Sequence, residues 1–403
     1  MINCTVTHTL LKANVYRASI LLLALILISL NLRPALTSVA PVIQSIVEDL
    51  SLSQANAGLI TTIPVLLMGL LAPLAPRLAA RWSQESVLKG AMAVLTVALL
   101  LRHFSQHSFA LLLLSAVLAG TAIAIAGPLM SGFIKQHFAR HMGFAIAIYS
   151  VSITIGAALA VALTLPIIST FGGEWHYGLS SWGWLALATF LLLIIFLPKS
   201  TSPKLDKSIL KKLPLHSFKA WLLTGFFAAQ AGVFYALATW MVAHFEHVGF
   251  SISRASIMAS VFMGSGILGA LIMPLIAART AKRSLLIAAV TFITTLLILA
   301  ITWLPQFNPL VLVSILGVTT SGTFALALAL PVLETDTPHE ASQLSSMMSS
   351  FGYIIGGVTP ALVGIGKDIT GSYEWSFTFL AALSFCMVVI ALFLPNVSKN
   401  HAT

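Results

Sequence analysis

Charge is what this chain has least of. Asp, Glu, Lys and Arg make up 8% of its 403 residues, where a water-soluble domain carries about 25%. Hydrophobic residues account for 58%, so the polar side chains are too few to cover a globular surface, and a soluble enzyme or carrier is excluded. Cysteine is almost missing. Cys4 lies in the N-terminal tail and Cys386 in a late apolar run, which leaves no disulfide framework, metal-ligand spacing or cofactor motif. Acids are scarce and badly placed for proton relay. Glu48, Asp49, Glu174, Glu246, Asp368 and Glu374 flank one set of run ends, and Glu85, Asp206, Glu334, Asp336 and Glu340 flank the other. With no carboxylate in mid-run, a pump-type carboxylate relay is not visible. The paired acids or nucleophile–base pair of an intramembrane enzyme are missing too. The formal charge of +10 does not mark a nucleic-acid binder, because the cations sit in short loops rather than on one face.

What the chain does have is long apolar runs. Twelve of about 20 residues or more, separated by charge or Gly/Pro breaks, read as membrane helices. They cover roughly 18–47, 54–80, 87–103, 108–134, 141–167 and 182–198, then 218–245, 254–278, 284–304, 309–333, 342–366 and 375–395. Lys12 and Arg17 before the first run also suit a signal peptide, but the apolar character resumes after Pro34 and reads better as a retained helix. The expected organisation is an N-terminal six-helix bundle (1–198), a basic cytoplasmic linker (199–217) and a C-terminal six-helix bundle (218–403). Counting loops alternately places 17 of the 21 Lys and Arg on the side of the N-terminus. By the positive-inside rule both termini are then cytoplasmic. Arg102, Arg254 and Lys367 fall on the opposite side.

The halves echo each other at an offset of about 200 residues. Gly69 to Pro73 with Arg77 and Arg81 parallels Gly269 to Pro274 with Arg279 and Arg283, and Pro128 parallels Pro331. Gly156 likewise parallels Gly356. Each match alone is weak, but the shared offset points to a tandem duplication. Two such halves rocking about a midplane site is the layout of secondary transporters.

Arg33 is the only charged residue between Arg17 and Glu48. At about 1.5 Å per residue it falls near the middle of its span, a depth where a charge costs on the order of 3 kcal/mol or more. Its planar fork of donors suits a carboxylate, a nitro group or another flat anion. The alternative is a structural arginine that bonds helix-end carbonyls. Pro34 deprives the Leu30 carbonyl of its helix partner, which breaks the helix at a site or merely kinks it.

The segment Leu30-Asn-Leu-Arg-Pro-Ala-Leu-Thr-Ser-Val-Ala-Pro41, followed by Leu59 to Gly69, resembles the cyanate and 2-nitroimidazole transporter branch of the Major Facilitator Superfamily. The likeness runs on through Pro128, Ile134-Lys135, Met273-Pro274 and Phe351 to Gly357. It implies an all-α membrane protein of twelve helices in two pseudo-symmetric bundles, a bacterial inner-membrane location, and transport of small anionic or polar nitrogen compounds. Export of 2-nitroimidazole-like or other drug-like compounds is the alternative. Three departures stand against a proton-driven multidrug exporter. Pro73 to Arg77 contains no acid, Leu118 to Pro128 no arginine, and the fifth run lacks the Gly-Pro pattern of antiporters.

Thr37 and Gln44, at +4 and +11 from Arg33, share its helical face and are candidates to line the path. Thr37 has a second reading, a bond back to the Arg33 carbonyl. Asn31 points elsewhere and is expected to tie the first span to a neighbour. Gln230 and Tyr235 occupy the counterpart seventh span. Either they complete a ring around the anion or they hold helices together. Tyr149 and Thr154 in the fifth span, and Ser350 and Tyr353 in the eleventh, are further candidates. Met130, Met263, Met347 and Met348 are candidates for a soft lining, with packing as the default. Pro34, Gly264, Gly356, Arg77 and Arg279 are the expected hinge and gating positions, the glycines by allowing close helix approach. The histidines near run ends, among them His103, His137 and His244, are expected to be solvated. The expected partners are a small-molecule substrate and the bilayer, with no metal, and a monomer is the expected assembly.

Overall fold

A computed structural model describes residues 19–138, 142–197, 214–280, 282–334 and 338–394. The inter-bundle linker expected at 199–217 lies mostly outside that range, as does Cys4. Among the described residues, twelve helices are long and apolar enough to cross a membrane. The first six are α1 (Ser19–Asp49), α2 (Gln54–Leu71), α3 (Gln84–Phe104), α4 (Phe109–Ile134), α5 (Ile148–Thr170) and α6 (Trp175–Phe196). The second six are α7 (Phe218–His247), α8 (Ile252–Ala277), α9 (Arg283–Trp303), α10 (Pro309–Leu328), α11 (Leu344–Thr370) and α12 (Glu374–Leu392). Only helices close every backbone hydrogen bond internally in hydrocarbon, so runs of this length fold no other way.

Successive spans run antiparallel, which gives the molecule an acidic end (Asp49, Glu174, Glu246, Asp368, Glu374) and a basic end (Arg77, Lys89, Lys219, Arg283). Most helix–helix contacts stay within a half: α3 packs on α4 and α6, α9 on α12, and α8 on α10. The halves meet through α2 against α11 and α5 against α8. Helix α7 is the most enclosed of all, with 94% of its apolar window buried. Polar side chains stitch neighbours together. Asn31 Nδ2 donates to Thr189 Oγ1 of α6 at 2.9 Å, joining α1 to α6.

Several boundaries and placements depart from the sequence reading. The second run does not extend to residue 80. It stops at Leu71, and a separate short helix, Leu74–Trp82, follows Pro73, because Arg77 and Arg81 draw that segment toward water. His244 is not solvated; it is fully buried, with Nε2 at 3.0 Å from the Ile301 carbonyl and its ring stacked on Phe377. Gly264 faces open space, and the close approaches on α8 fall at Gly266, where a Cβ would strike Ser321 Oγ of α10, and at Gly269, where it would strike the Val318 carbonyl.

The acidic end is closed by contacts between the halves. Asp368 of α11 accepts from the backbone N–H groups of Gln54 and Ala55, at 2.9 and 2.8 Å. Those donors open α2, where the helix dipole favours an anion. Beside them Gln44 Nε2 donates to the Tyr373 hydroxyl at 2.8 Å, and that hydroxyl donates to Gln54 Oε1 at 3.3 Å. Burial raises the pKa of Tyr373 well above the usual tyrosine range, so this bridge stays neutral at physiological pH.

Candidate functional site

The first span is not one continuous helix. It runs to Asn31, turns at Leu32 and Arg33, makes one helical turn at Pro34–Thr37, turns again, and resumes through a 3-10 turn at Ala40–Val42. Pro34 and Pro41 explain both breaks, since neither has an N–H to give. The Leu30 carbonyl that Pro34 leaves free lies against Gly156 of α5, so closely that a Cβ there would collide with it. The carbonyl of Arg33 accepts from the N–H groups of Leu36 and Thr37, at 2.9 and 3.0 Å. Arg33 therefore caps the isolated turn, and its pose follows the break.

The Arg33 side chain leaves α1 toward the other half. Its Nη1 donates to the Tyr235 hydroxyl of α7 at 3.0 Å, and the guanidinium carbon lies 5.3 and 5.4 Å from the Phe234 and Tyr235 ring centroids. Tyr149 of α5 and Tyr353 of α11 lie within electrostatic range of it. Tyr353 stands 6.2 Å from Tyr235, centroid to centroid, and Tyr235 donates onward to Met68 Sδ of α2 at 3.8 Å. Five helices from both halves thus converge on one cation. Phe234, Tyr149, Tyr353 and Arg33 itself are only partly buried. Among the described residues the ion pairs are His137–Glu85 and Lys219–Glu334. Neither touches Arg33, so among the described residues the charge is met by two ring faces and the Tyr235 hydroxyl.

The other candidates are not all at this point. Thr37 Oγ1 bonds back to the Arg33 carbonyl at 3.2 Å and across to the Ala157 carbonyl of α5 at 3.3 Å. It fastens the broken turn rather than joining the group around the guanidinium. Gln44, expected on the same face as Arg33, belongs to the closed acidic end with Gln54 and Tyr373, because eleven residues carry it roughly 16 Å along the span. Gln230 is buried and donates to the Thr320 carbonyl of α10 at 2.9 Å; it ties α7 to α10. Thr154 returns its hydroxyl to the Ser150 carbonyl. Gly356 is a point of close approach, where a Cβ would strike the Ala228 carbonyl of α7. Arg77 is exposed at the basic end, and the Arg279 side chain lies outside the described atoms. Among the described residues no group of three or more His, Cys, Asp or Glu could hold a metal ion.

Two participants escaped the sequence reading. Phe234 gave no signal beyond standing next to Tyr235. Arg102 looked like an exposed loop cation, yet it is fully buried, with Nη2 donating to the Ala35 carbonyl at 2.8 Å. An apolar groove of about 290 Å³ runs between the start of α1 and the end of α6, lined by Ile20, Leu23, Leu27, Leu193 and Phe196 among others. It carries no charged group and does not include Arg33.

The model of the Major Facilitator Superfamily matches residues 21–360. An uncharacterised transporter of Bacillus subtilis, YycB, is 30% identical over 91% of each chain. The cyanate transport protein CynX of Escherichia coli is 29% identical over 93% of this chain and 97% of that one. The 2-nitroimidazole transporter of Escherichia coli is 26% identical over 93% and 94%. Among solved structures, a bacterial homologue of the lysosomal transporter Spinster, in an inward-facing occupied conformation, superposes with a TM-score of 0.74. It is 17% identical and covers 93% of this chain and 95% of its own.

Proposed function

The chain belongs to the Major Facilitator Superfamily of membrane transporters, and on that footing we propose that it moves a small, flat anion of the cyanate kind across a bacterial inner membrane by alternating access. The observation that carries this reading is Arg33: a permanent cation at the meeting of both halves, paired with no carboxylate among the described residues and only partly buried. Its remaining donors offer charge-assisted hydrogen bonds to an entering anion. Tyr235, Tyr353 and Tyr149 surround it without adding charge. The similarity to a cyanate transport protein supports the substrate class.

In this scheme the units 1–198 and 218–403, joined through 199–217, rock about Arg33. Both termini face the cytoplasm and the chain works as a monomer. The contacts among Gln44, Gln54, Asp368 and Tyr373 close the outer mouth. Pro34 and Gly356 serve as the hinges, and Arg77 and Arg279 gate the basic end.

The decisive experiment is counterflow of labelled cyanate in proteoliposomes. Arg33→Ala is expected to reduce it to the protein-free background while the variant still purifies as a monodisperse species. Undiminished counterflow by Arg33→Ala would refute the anion-clamp role.

A second reading is export of 2-nitroimidazole-like compounds. It draws on another relative and on the aromatic walls of Phe234, Tyr235 and Tyr353, which suit a flat heterocycle whose nitro group meets Arg33. A deletion strain separates the two. Hypersensitivity to 2-nitroimidazole favours export, and loss of cyanate uptake favours the first reading.

A further inference from the structure

We propose that Arg102, a fully buried residue that does not touch Arg33, positions Arg33 by holding the broken turn of α1 from behind; this rests on the reading of Arg33 as the anion-binding group. Arg102 sits in the 3-10 turn Arg102–Phe104 that ends α3, and its side chain turns inward until none of it is exposed. Nε donates to Ser115 Oγ of α4 at 3.2 Å and Nη2 to the Ala35 carbonyl of α1 at 2.8 Å. Nη1 is buried without a partner, and neither of the ion pairs among the described residues involves Arg102.

A lone buried guanidinium is a costly way to fill space, and an apolar side chain of similar volume normally packs better. The expense is explained by what the fork holds. The turn at Ser38–Val39 takes the Ala35 carbonyl out of the helix, and Arg102 supplies a donor there. Ala35 belongs to the four-residue turn that Arg33 caps, so a single rigid fork ties α3, α4 and the turn bearing the site together. Thr37, bonded to the Ala157 carbonyl, pins the same turn from α5. Without the fork the turn is held only by Thr37 and by packing, and Arg33 loses its fixed approach to Tyr235. A lysine has one ammonium in place of the fork and would satisfy Ala35 or Ser115, but not both in the same geometry.

The test reads the field at the site and needs no knowledge of the substrate. In a chain carrying Cys4→Ser, Cys386→Ser and Phe234→Cys, the reporter thiol stands beside Arg33. Its labelling rates are compared with a sulfonate-bearing and a trimethylammonium-bearing methanethiosulfonate. With both arginines in place the sulfonate reagent is expected to be favoured by about tenfold, as a unit charge about 5 Å away implies. Arg33→Gln should abolish the preference. Arg102→Met should lower it at least about threefold when Arg33 is present, and should change nothing further in the Arg33→Gln background, the non-additivity of a group that acts through another. Arg102→Lys should fall between, and it carries the test if Arg102→Met does not give monodisperse protein.

A preference that survives Arg102→Met and Arg102→Lys overturns the positioning role and leaves Arg33 untouched. An equal loss in both backgrounds also overturns it, because Arg102 would then act by its own field. A parent reporter with no anion preference overturns the reading of Arg33 and the role of Arg102 with it.

Discussion

Tyr235 holds Arg33 from the opposite half, and among the described residues its hydroxyl is the only side-chain hydrogen-bond partner of that guanidinium. Tyr235→Phe keeps the ring, and with it the cation–π contact, but removes an acceptor. A hydrogen bond to a charged group contributes about 1.5–3 kcal/mol, and part of that is recovered when Arg33 turns to water. The expected result is a rise in KM for cyanate counterflow of about fivefold to tenfold with little change in Vmax. The melting temperature should be unaltered. Gln230 provides the contrast on the same helix. Its amide nitrogen donates to the Thr320 carbonyl, and its Oε1 is buried without a partner and does not reach Arg33, so Gln230→Leu should leave KM at the wild-type value. If Gln230→Leu raised KM as Tyr235→Phe does, the assignment of Gln230 to helix packing would be wrong. Composition alone did not separate these two residues. Both are polar, both are mid-helix in the seventh span, and five positions along a helix turn them to different neighbours.

At the scale of the element, the broken first span depends on how close α5 can come. Gly156 lies against the Leu30 carbonyl that Pro34 leaves without a donor, so the break and the glycine form one feature. Gly156→Ala places a methyl where the carbonyl already is, and overpacking of this kind costs typically 1–3 kcal/mol. The expected outcome is a lowered melting temperature and counterflow below about a tenth of wild type, since α1 must shift and take Arg33 with it. Gly264→Ala is the control. Its Cβ would enter open space, so melting temperature and counterflow should match wild type. Pro34 and the mid-span charge were plain in the sequence, and they located the break. The second break at Ser38–Val39 was not, although Pro41 was visible. A proline shows that a donor is lost, but not whether the helix kinks, tightens to 3-10 or unwinds. Gln44 is remote from Arg33 for a simpler reason: a shared face says nothing of depth, and eleven residues span roughly 16 Å. Arg102 was hidden by a different cause. A charge at a span end normally reaches for water, and only the three-dimensional placement of Ser115 and the Ala35 carbonyl shows it folded inward.

For the whole molecule, the twelve spans and their division into halves were legible because hydrocarbon leaves the backbone one way to satisfy itself. Which end is closed was not legible, since it depends on contacts between residues some 300 positions apart. Asp368 and the N-terminus of α2 are the clearest of these. The carboxylate takes two backbone N–H groups from the other half at the positive end of a helix dipole, and the pair is exposed, so solvent screens it. A contribution of roughly 1 kcal/mol is reasonable for an exposed charge at a helix N-terminus. That is enough to change the ratio of two nearly balanced states about fivefold. Asp368→Asn keeps the size and one acceptor but loses the charge. It should therefore favour the arrangement in which α2 and α11 part at the acidic end. Spin labels on Asn56 of α2 and Ile369 of α11, both exposed, report that separation by pulsed electron resonance. The distance distribution in Asp368→Asn should gain a longer component at the expense of the short one, and added salt should move the unmutated protein the same way by screening the pair. Gln44 and Tyr373 bridge the same mouth without charge, so a Tyr373→Phe variant should open it by an amount that does not depend on salt. Identical distributions in Asp368→Asn and the parent would mean that the mouth is held by packing of α2 on α11 alone, and that the carboxylate caps a helix without governing access to Arg33.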